Sequence, residues 1–369
     1  MDIHKIDKNF DTTFKCPEDI EWFSIREFPF GVYGVTYSED EGLYRRLPKE
    51  IADATNDGVA HLSKHTAGGR IRFASNSPYI AICVEEPFEN PFSHMTIAGK
   101  CGVSLFADKK FVGTIMPSYE QVVKADTVYG GNGKIVFDGI KFLNEPNAEI
   151  YQAEIFLPLY SAVYNVCIGL KKGCQLHKAK EYKHRTPVLF YGSSITQGGC
   201  ASKPGDDYVN RLSFMLDTDI LNLGFSGSAR AEEVMAKYIA AQNASVFVLD
   251  YDHNAPTAEH LAKTHFALYQ TVRNAHPTTP IIMMTMPTIE GYEKRLYHKL
   301  RRDEIVKSFV KAKDCGDENV YFIDCYGCFG ADKNGECGTV DDCHPDSLGF
   351  LRMAERVYPI LDKLLNEEK

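Results

Sequence analysis

"PVLFYGSSITQGG", residues 187–199, decides how the second half of this chain is read. An apolar run gives way to a cluster of glycines and hydroxyls, as a buried strand does at its end. From there to the C-terminus short apolar segments alternate with amphipathic ones. "PVLFYG" precedes "DYVNRLSFMLD", "ILNLGF" precedes "AEEVMAKYIAAQ", and "SVFVLDY" precedes "TAEHLAKTHFALYQTVRNA". "PIIMMTMP" then leads to "KRLYHKLRRDEIVKSFVKAK", and "VYFIDCYG" to "LGFLRMAERVYPILDKLL". This series of strand-and-helix units predicts a three-layer α/β/α domain with a parallel sheet over residues 186–369. Ligands of such sheets bind beyond the carboxyl ends of the strands, and there the polar residues of interest fall.

Upstream the rhythm differs. "RIRFASNSPYIAICVEE", "VSLFADKKFVGTI", "KIVFDGIKFL" and "AEIFLPLYSAVYNVCIGL" each read as a strand or hairpin, with "ADKK" and "DG" as turns. They predict an all-β sandwich or jelly-roll domain over residues 1–180, interrupted by one helical stretch, "PKEIADATNDGVAHLSKHT". The polar, basic stretch 171–186 reads as a linker. Aromatics in "EWFSIREFPFGVYG", with the single tryptophan Trp22, are core residues or a sugar-stacking surface.

A chain of 369 residues exceeds one ordinary core, in line with two domains. Hydrophobic content of 44% and charged content of 25% are those of a globular protein. The net charge of −9 argues against nucleic acid or anionic membrane as partner, and suits a neutral ligand such as a sugar. The first residues lack a signal-peptide pattern and no apolar run is long enough to span a membrane. The eleven cysteines then read as reduced thiols in a cytoplasmic protein. A homodimer is compatible with the sequence.

Four stretches carry candidate chemistry. Ser194 follows the first parallel strand, with Ser193 and Thr196 as alternative hydroxyls, and a serine becomes a nucleophile only with a base in reach. "TVDDCHPDSLGF" supplies His344, with Asp341 three residues ahead, a spacing that folds back to orient an imidazole. "NLGFSGSAR" offers the backbone N–H of Gly227 to a reacting oxygen. "LDYDHNAP" offers the Asn254 amide, in competition with Asp250, Asp252 and His253. Each stretch alone also reads as a turn or helix cap.

Taken in order, the four resemble the blocks of the SGNH/GDSL hydrolase family: G-S-S-I-T (192–196), F-S-G (225–227), D-Y-D-H-N (250–254) and D-D-C-H-P (341–345). The resemblance implies Ser194 as nucleophile, His344 as general base and then acid, and Asp341 as its orienter. The oxyanion hole would be the N–H groups of Ser194 and Gly227 and the Asn254 amide. Ser193 stands where the family's aspartate precedes the nucleophile, and the third block lacks the usual G-x-N-D. A β-rich domain ahead of such a fold is similar to two-domain carbohydrate acetyl esterases. The resemblance therefore implies deacetylation of an acetylated oligosaccharide or another small acyl ester through an acyl-serine, without cofactor or metal. Acyl transfer, or short-chain lipase or thioesterase activity, is the alternative on the same fold.

Three rivals compete. Cys325, Cys328, Cys337 and Cys343 could bind structural zinc, but the second pair is not C-x-x-C. "YGGNGKI" (129–135) lacks the first glycine and the final Ser/Thr of a phosphate-binding loop and is rejected. A carbohydrate-binding protein with an inactive hydrolase domain is disfavoured by the complete set Ser194, Asp341 and His344.

Overall fold

The structure, a computed structural model, describes residues 15–143, 149–291, 295–330 and 337–367. The chain begins with β1 (Ile20–Ser24), β2 (Gly31–Tyr33), β3 (Thr36–Ser38) and β4 (Leu43–Arg45), then helices α1 (Lys49–Thr55) and α2 (Asp57–Leu62). Next come β5 (Arg70–Ser75), β6 (Tyr79–Pro87), α3 (Ile97–Cys101), β7 (Val103–Ala107), β8 (Lys110–Ile115) and α4 (Tyr119–Ala125). β9 (Lys134–Phe142), β10 (Tyr151–Phe156), β11 (Asn165–Lys171) and β12 (Leu176–His177) complete this part.

Two antiparallel sheets face each other, in the orders β1-β11-β6-β9 and β12-β5-β10-β7-β8, with β2 also on β5, and β3 pairs with β4 in a separate two-stranded ladder. Their facing side chains, among them Ile71, Phe73, Leu105 and Ile155 against Ile82, Val84, Phe137 and Ile168, form one core, as alternation along each strand requires. "ADKK" is the expected turn: Asp108 and Lys109 both have positive φ, which matches the twist of the β7–β8 hairpin. "DG" is not a turn. Asp138 and Gly139 lie inside β9, paired with Cys83 and Ile82. Gly139 is there for space, since a Cβ would sit 2.9 Å from Ile115 Cγ2. The helical stretch is broken in two by Asn56, whose extended backbone ends α1 and whose side chain accepts from Val59 N to cap α2.

The C-terminal part contains a five-stranded parallel sheet of β13 (His184–Gly192), β14 (Thr218–Gly224), β15 (Val246–Asp250), β16 (Ile281–Met284) and β17 (Val320–Ile323). The order is β14-β13-β15-β16-β17, so the winding reverses at β13, the position where such sheets open a crevice. Between the strands lie α5 (Ser194–Gln197), α6 (Tyr208–Leu216), α7 (Glu233–Ala240), α8 (Ala258–Ala275) and α9 (Leu296–Asp314), with α10 (Ser347–Asn366) last. Val188, Phe190, Val246 and Val248 face α6 and α10, while Leu189, Tyr191, Phe247 and Leu249 face α7, α8 and α9. This is the α/β/α architecture expected from the alternating segments. Among the described residues, no helix is long and apolar enough to cross a membrane.

The stretch expected as a linker is packed. β12 pairs with β5, and Tyr182 is buried with the Arg72 guanidinium 3.8 Å from its ring centroid. Two more arginines join the halves. Arg70 is fully buried, with an ion pair to Asp219 at 2.7 Å and bonds to Ser213 Oγ and Ile220 O. Arg46 donates through Nε to His65 O at 2.7 Å and through Nη2 to Leu62 O at 2.7 Å. Its Nη1 reaches Asn222 O at 3.0 Å and Gly224 O at 2.6 Å, at the end of β14.

Arg46→Met keeps the bulk but leaves these carbonyls unpaired in a dry site. It is expected to cost about 3 kcal/mol or more, read as a lower denaturation midpoint in urea.

Candidate active site

Two serines end β13, and local hydrogen bonding gives them different tasks. Ser193 is the N-cap of α5: its Oγ accepts from Ile195 N at 3.1 Å, while its own N–H donates to Thr196 Oγ1 at 3.2 Å. Thr196 Oγ1 in turn donates to Asp250 Oδ2 at 2.9 Å. Both alternative hydroxyls are thus engaged in holding the turn. Ser194 Oγ lies 3.0 Å from His344 Nε2.

His344 is held by Asp341 twice. Asp341 Oδ1 accepts from His344 N at 2.7 Å and from Cys343 N at 3.2 Å, which closes the loop. Asp341 Oδ2 lies 2.8 Å from His344 Nδ1. The carboxylate fixes the proton on Nδ1, so the Nε2 lone pair faces Ser194. Partial burial alone would raise the Asp341 carboxyl, but the His344 N–H and ring hold it below its ordinary value. The base of the loop is tied by Val340 N and Thr339 Oγ1, both donating to His344 O at 2.9 Å.

Phe225, Ser226 and Gly227 follow β14 directly. Phe225 N donates to Gly192 O at 2.9 Å, Ser226 N to Gln197 Oε1 at 3.1 Å, and Asn254 Nδ2 to Phe225 O at 2.7 Å. These bonds bring the ends of β13, β14 and β15 to one place. Gly224 makes the approach feasible, because a Cβ there would stand 2.2 Å from Gln197 N. Gly227 has φ +66°. Among the described residues, the N–H groups of Ser194 and Gly227 donate no hydrogen bond. Asn254 spends one amide N–H on Phe225, which fixes the group and leaves a second donor. Such an arrangement suits a serine that attacks a carbonyl, with donors for the resulting oxyanion.

Several residues at the site carried no signal in the sequence. Tyr160 OH donates to Ser194 O at 3.1 Å, and the His94 ring centroid lies 5.4 Å from that of His344. Phe92, partly exposed, packs edge-on against Tyr160. All three come from the β-rich part, more than thirty residues from Ser194, and no periodicity or spacing ties them to it. Gln197 was visible only as part of the turn, yet its Nε2 also reaches His65 Nδ1 at 3.2 Å. Trp22 instead lies in β1, at the edge of the four-stranded sheet.

Residues 185–362 match the profile of the GDSL-like lipase/acylhydrolase family, and residues 20–176 match that of the N-terminus of SGNH-hydrolase-type esterases. Among solved structures, a GDSL-like lipase candidate from Bacteroides ovatus is 26% identical, with a TM-score of 0.80 over 94% of this chain and 98% of that one. The salicylyl-acyltransferase SsfX3 of a tetracycline biosynthetic pathway is 17% identical, with a TM-score of 0.72 over 95% and 99% of the two chains. A family two carbohydrate esterase from Cellvibrio japonicus is 12% identical, with a TM-score of 0.58 over 94% and 98%. No curated protein matches the chain.

The other polar candidates have separate surroundings. Asp252 is buried and accepts from Met286 N at 2.8 Å, and burial pushes its carboxyl up to about 7. Burial pulls the His253 imidazole down to about 3, and Cys343 Sγ lies 3.9 Å from its Nδ1. Cys325 and Cys328 are buried behind the sheet, and the cysteine quartet is not among the metal-compatible clusters of the described residues. Asp250 accepts from Tyr208 OH at 2.7 Å as well as from Thr196, and burial pushes its carboxyl up to about 7.

Because the folded protein holds the Asp250 proton more tightly than the unfolded chain, stability falls as pH rises from roughly 4 to 7. Asp250→Asn removes that contribution. Melting temperatures between pH 5 and 8 are expected to fall less in the variant, with Asp252 accounting for a remaining slope.

Proposed function

The C-terminal half of this chain belongs to the GDSL-like lipase/acylhydrolase family, an esterase class, and on that premise we propose a serine acetyl esterase acting on an acetylated carbohydrate. The observation that carries the reading is the hydrogen-bonded line from Ser194 Oγ through His344 to Asp341, at 3.0 and 2.8 Å.

Ser194 Oγ attacks the acetyl carbonyl while His344 Nε2 takes its proton. Asp341 keeps the ring in the correct tautomer and stabilises the imidazolium; it does not take the proton itself. The N–H groups of Ser194 and Gly227 and the second amide N–H of Asn254 receive the oxyanion. His344 then protonates the departing sugar oxygen, and water activated by the same imidazole releases acetate and restores Ser194. A sugar is favoured as the alcohol side because Phe92 presents an exposed ring beside Tyr160, and aromatic faces stack on sugar rings. The net charge of −9 disfavours anionic substrates. The likeness of fold to a carbohydrate esterase and to an acyltransferase leaves the second acyl acceptor as the point to test.

Ser194→Ala and His344→Ala are expected to lower kcat/KM on an aryl acetate by about 10³-fold or more with the fold intact by circular dichroism. Asn254→Ala should lose about 10²–10³-fold, mostly in kcat, and Asp341→Asn a smaller but clear share than Ser194→Ala. Full activity in Ser194→Ala would overturn the reading. Acetate release from acetylated oligosaccharides tests the substrate class; turnover only with an added alcohol acceptor would indicate acyl transfer instead.

A further inference from the structure

We propose that His94, Cys200 and His344 form a binding site for a soft divalent cation, zinc above all, whose occupancy takes His344 away from Ser194 and arrests the esterase. One ligand atom from each of these side chains lies within 4.8 Å of the others. Tetrahedral zinc with imidazole and thiolate ligands needs separations of about 3.3–3.8 Å between ligand atoms. Rotation of the exposed His94 side chain supplies the difference. Two imidazoles and a thiolate match zinc rather than magnesium or calcium, which take oxygen ligands.

Hydrogen bonding selects this cluster over the other one. His61, His65 and Glu89 also converge, with His65 Nε2 3.1 Å from Glu89 Oε2. There, however, the Gln197 carboxamide is oriented by Ser226 N donating to its Oε1, so its Nε2 donates to His65 Nδ1. His65 must then carry its proton on Nε2, directed at Glu89, and has no lone pair for a metal. At His344 the reverse holds: Asp341 accepts from Nδ1–H, which keeps the proton there and leaves the Nε2 lone pair, now facing Ser194 Oγ, available to a metal. A carboxylate behind a ligating imidazole is also the usual support of a zinc ligand. The feature that makes His344 a base therefore makes it a metal ligand.

Opposing this, burial pushes the Cys200 thiol up to about 12, so the metal must displace a proton to solvent on binding. Cys200 is buried, and the cost of removing its proton favours a reversible inhibitory site over a permanent structural one. The fourth position is open to water or to Ser194 Oγ. Neither His94 nor Cys200 takes part in the proposed acyl chemistry.

The arrest rests on the esterase reading, whereas the binding does not, and the test separates them. The full-length protein is titrated with zinc chloride by calorimetry, and aryl acetate hydrolysis is followed over the same zinc range. One zinc per chain, inhibition reversed by EDTA, and at least about tenfold weaker binding and inhibition in His94→Ala and in Cys200→Ser, the latter with unchanged metal-free activity, are expected. Cobalt in place of zinc should give a thiolate charge-transfer band that Cys200→Ser abolishes, a readout independent of any esterase activity. Equal inhibition in both variants, relief of inhibition by Glu89→Gln instead, or binding without inhibition would each overturn the proposal.

Discussion

A guanidinium buried in protein must place its donors on acceptors, and Arg46 meets that constraint in a way that organises the site. Its bonds to Leu62 O and His65 O belong to the β-rich part, and those to Asn222 O and Gly224 O to the end of β14. The same group lies 4.8 Å from the centroid of the Phe225 ring. Phe225, Ser226 and Gly227 leave β14 immediately after these carbonyls, so the position of the Gly227 N–H is set partly from the other half of the chain. Water in place of Arg46 could not hold two segments in one register. The N-terminal part is thus an element of the site's scaffold, whatever else it does.

The winding reversal at β13 supplies the second constraint. Only at that strand do the connections leave to opposite sides, which opens the space where Ser194, Gly227 and Asn254 gather. Small residues make the crowding tolerable: a Cβ on Gly192 would meet Asp250 O at 2.4 Å, and one on Gly224 would meet Gln197 N at 2.2 Å. Asp250 occupies the buried space behind the turn, fixed by Thr196 and Tyr208. Its role is to brace the helix that carries Ser194, at the expense of holding a carboxyl in a dry place.

Local chemistry also explains why one histidine is placed to act as a base where several are near. His65, His253 and His344 all lie close to the cleft, yet burial lowers the first two toward neutrality, and hydrogen bonds or packing commit them. His344 alone pairs a carboxylate on one nitrogen with a hydroxyl on the other. The loop that presents it is only four residues from Asp341 to His344, so the carboxylate can secure both backbone and ring.

The alternating segments after residue 186 carried the α/β fold in the sequence, because buried strands and amphipathic helices obey periods that burial itself imposes. Ser194, Asp341 and His344 stood out in the sequence through the order of the four blocks taken together, since each stretch alone also reads as a turn or cap; the structure sets the three side chains in hydrogen-bond contact, with Asp341 folded back three residues onto His344. "DG" misled as a turn because Gly139 answers to the side chain of Ile115 on another strand, and the basic stretch before β13 misled as a linker because Tyr182 packs beneath Arg72. The contributions of Arg46, Tyr160, Phe92 and His94 to the site were decided only by tertiary structure. Their partners at the site lie at least thirty-four residues away in the chain, for Arg46 the carbonyls at the end of β14, and contacts at that range leave no periodic trace in sequence.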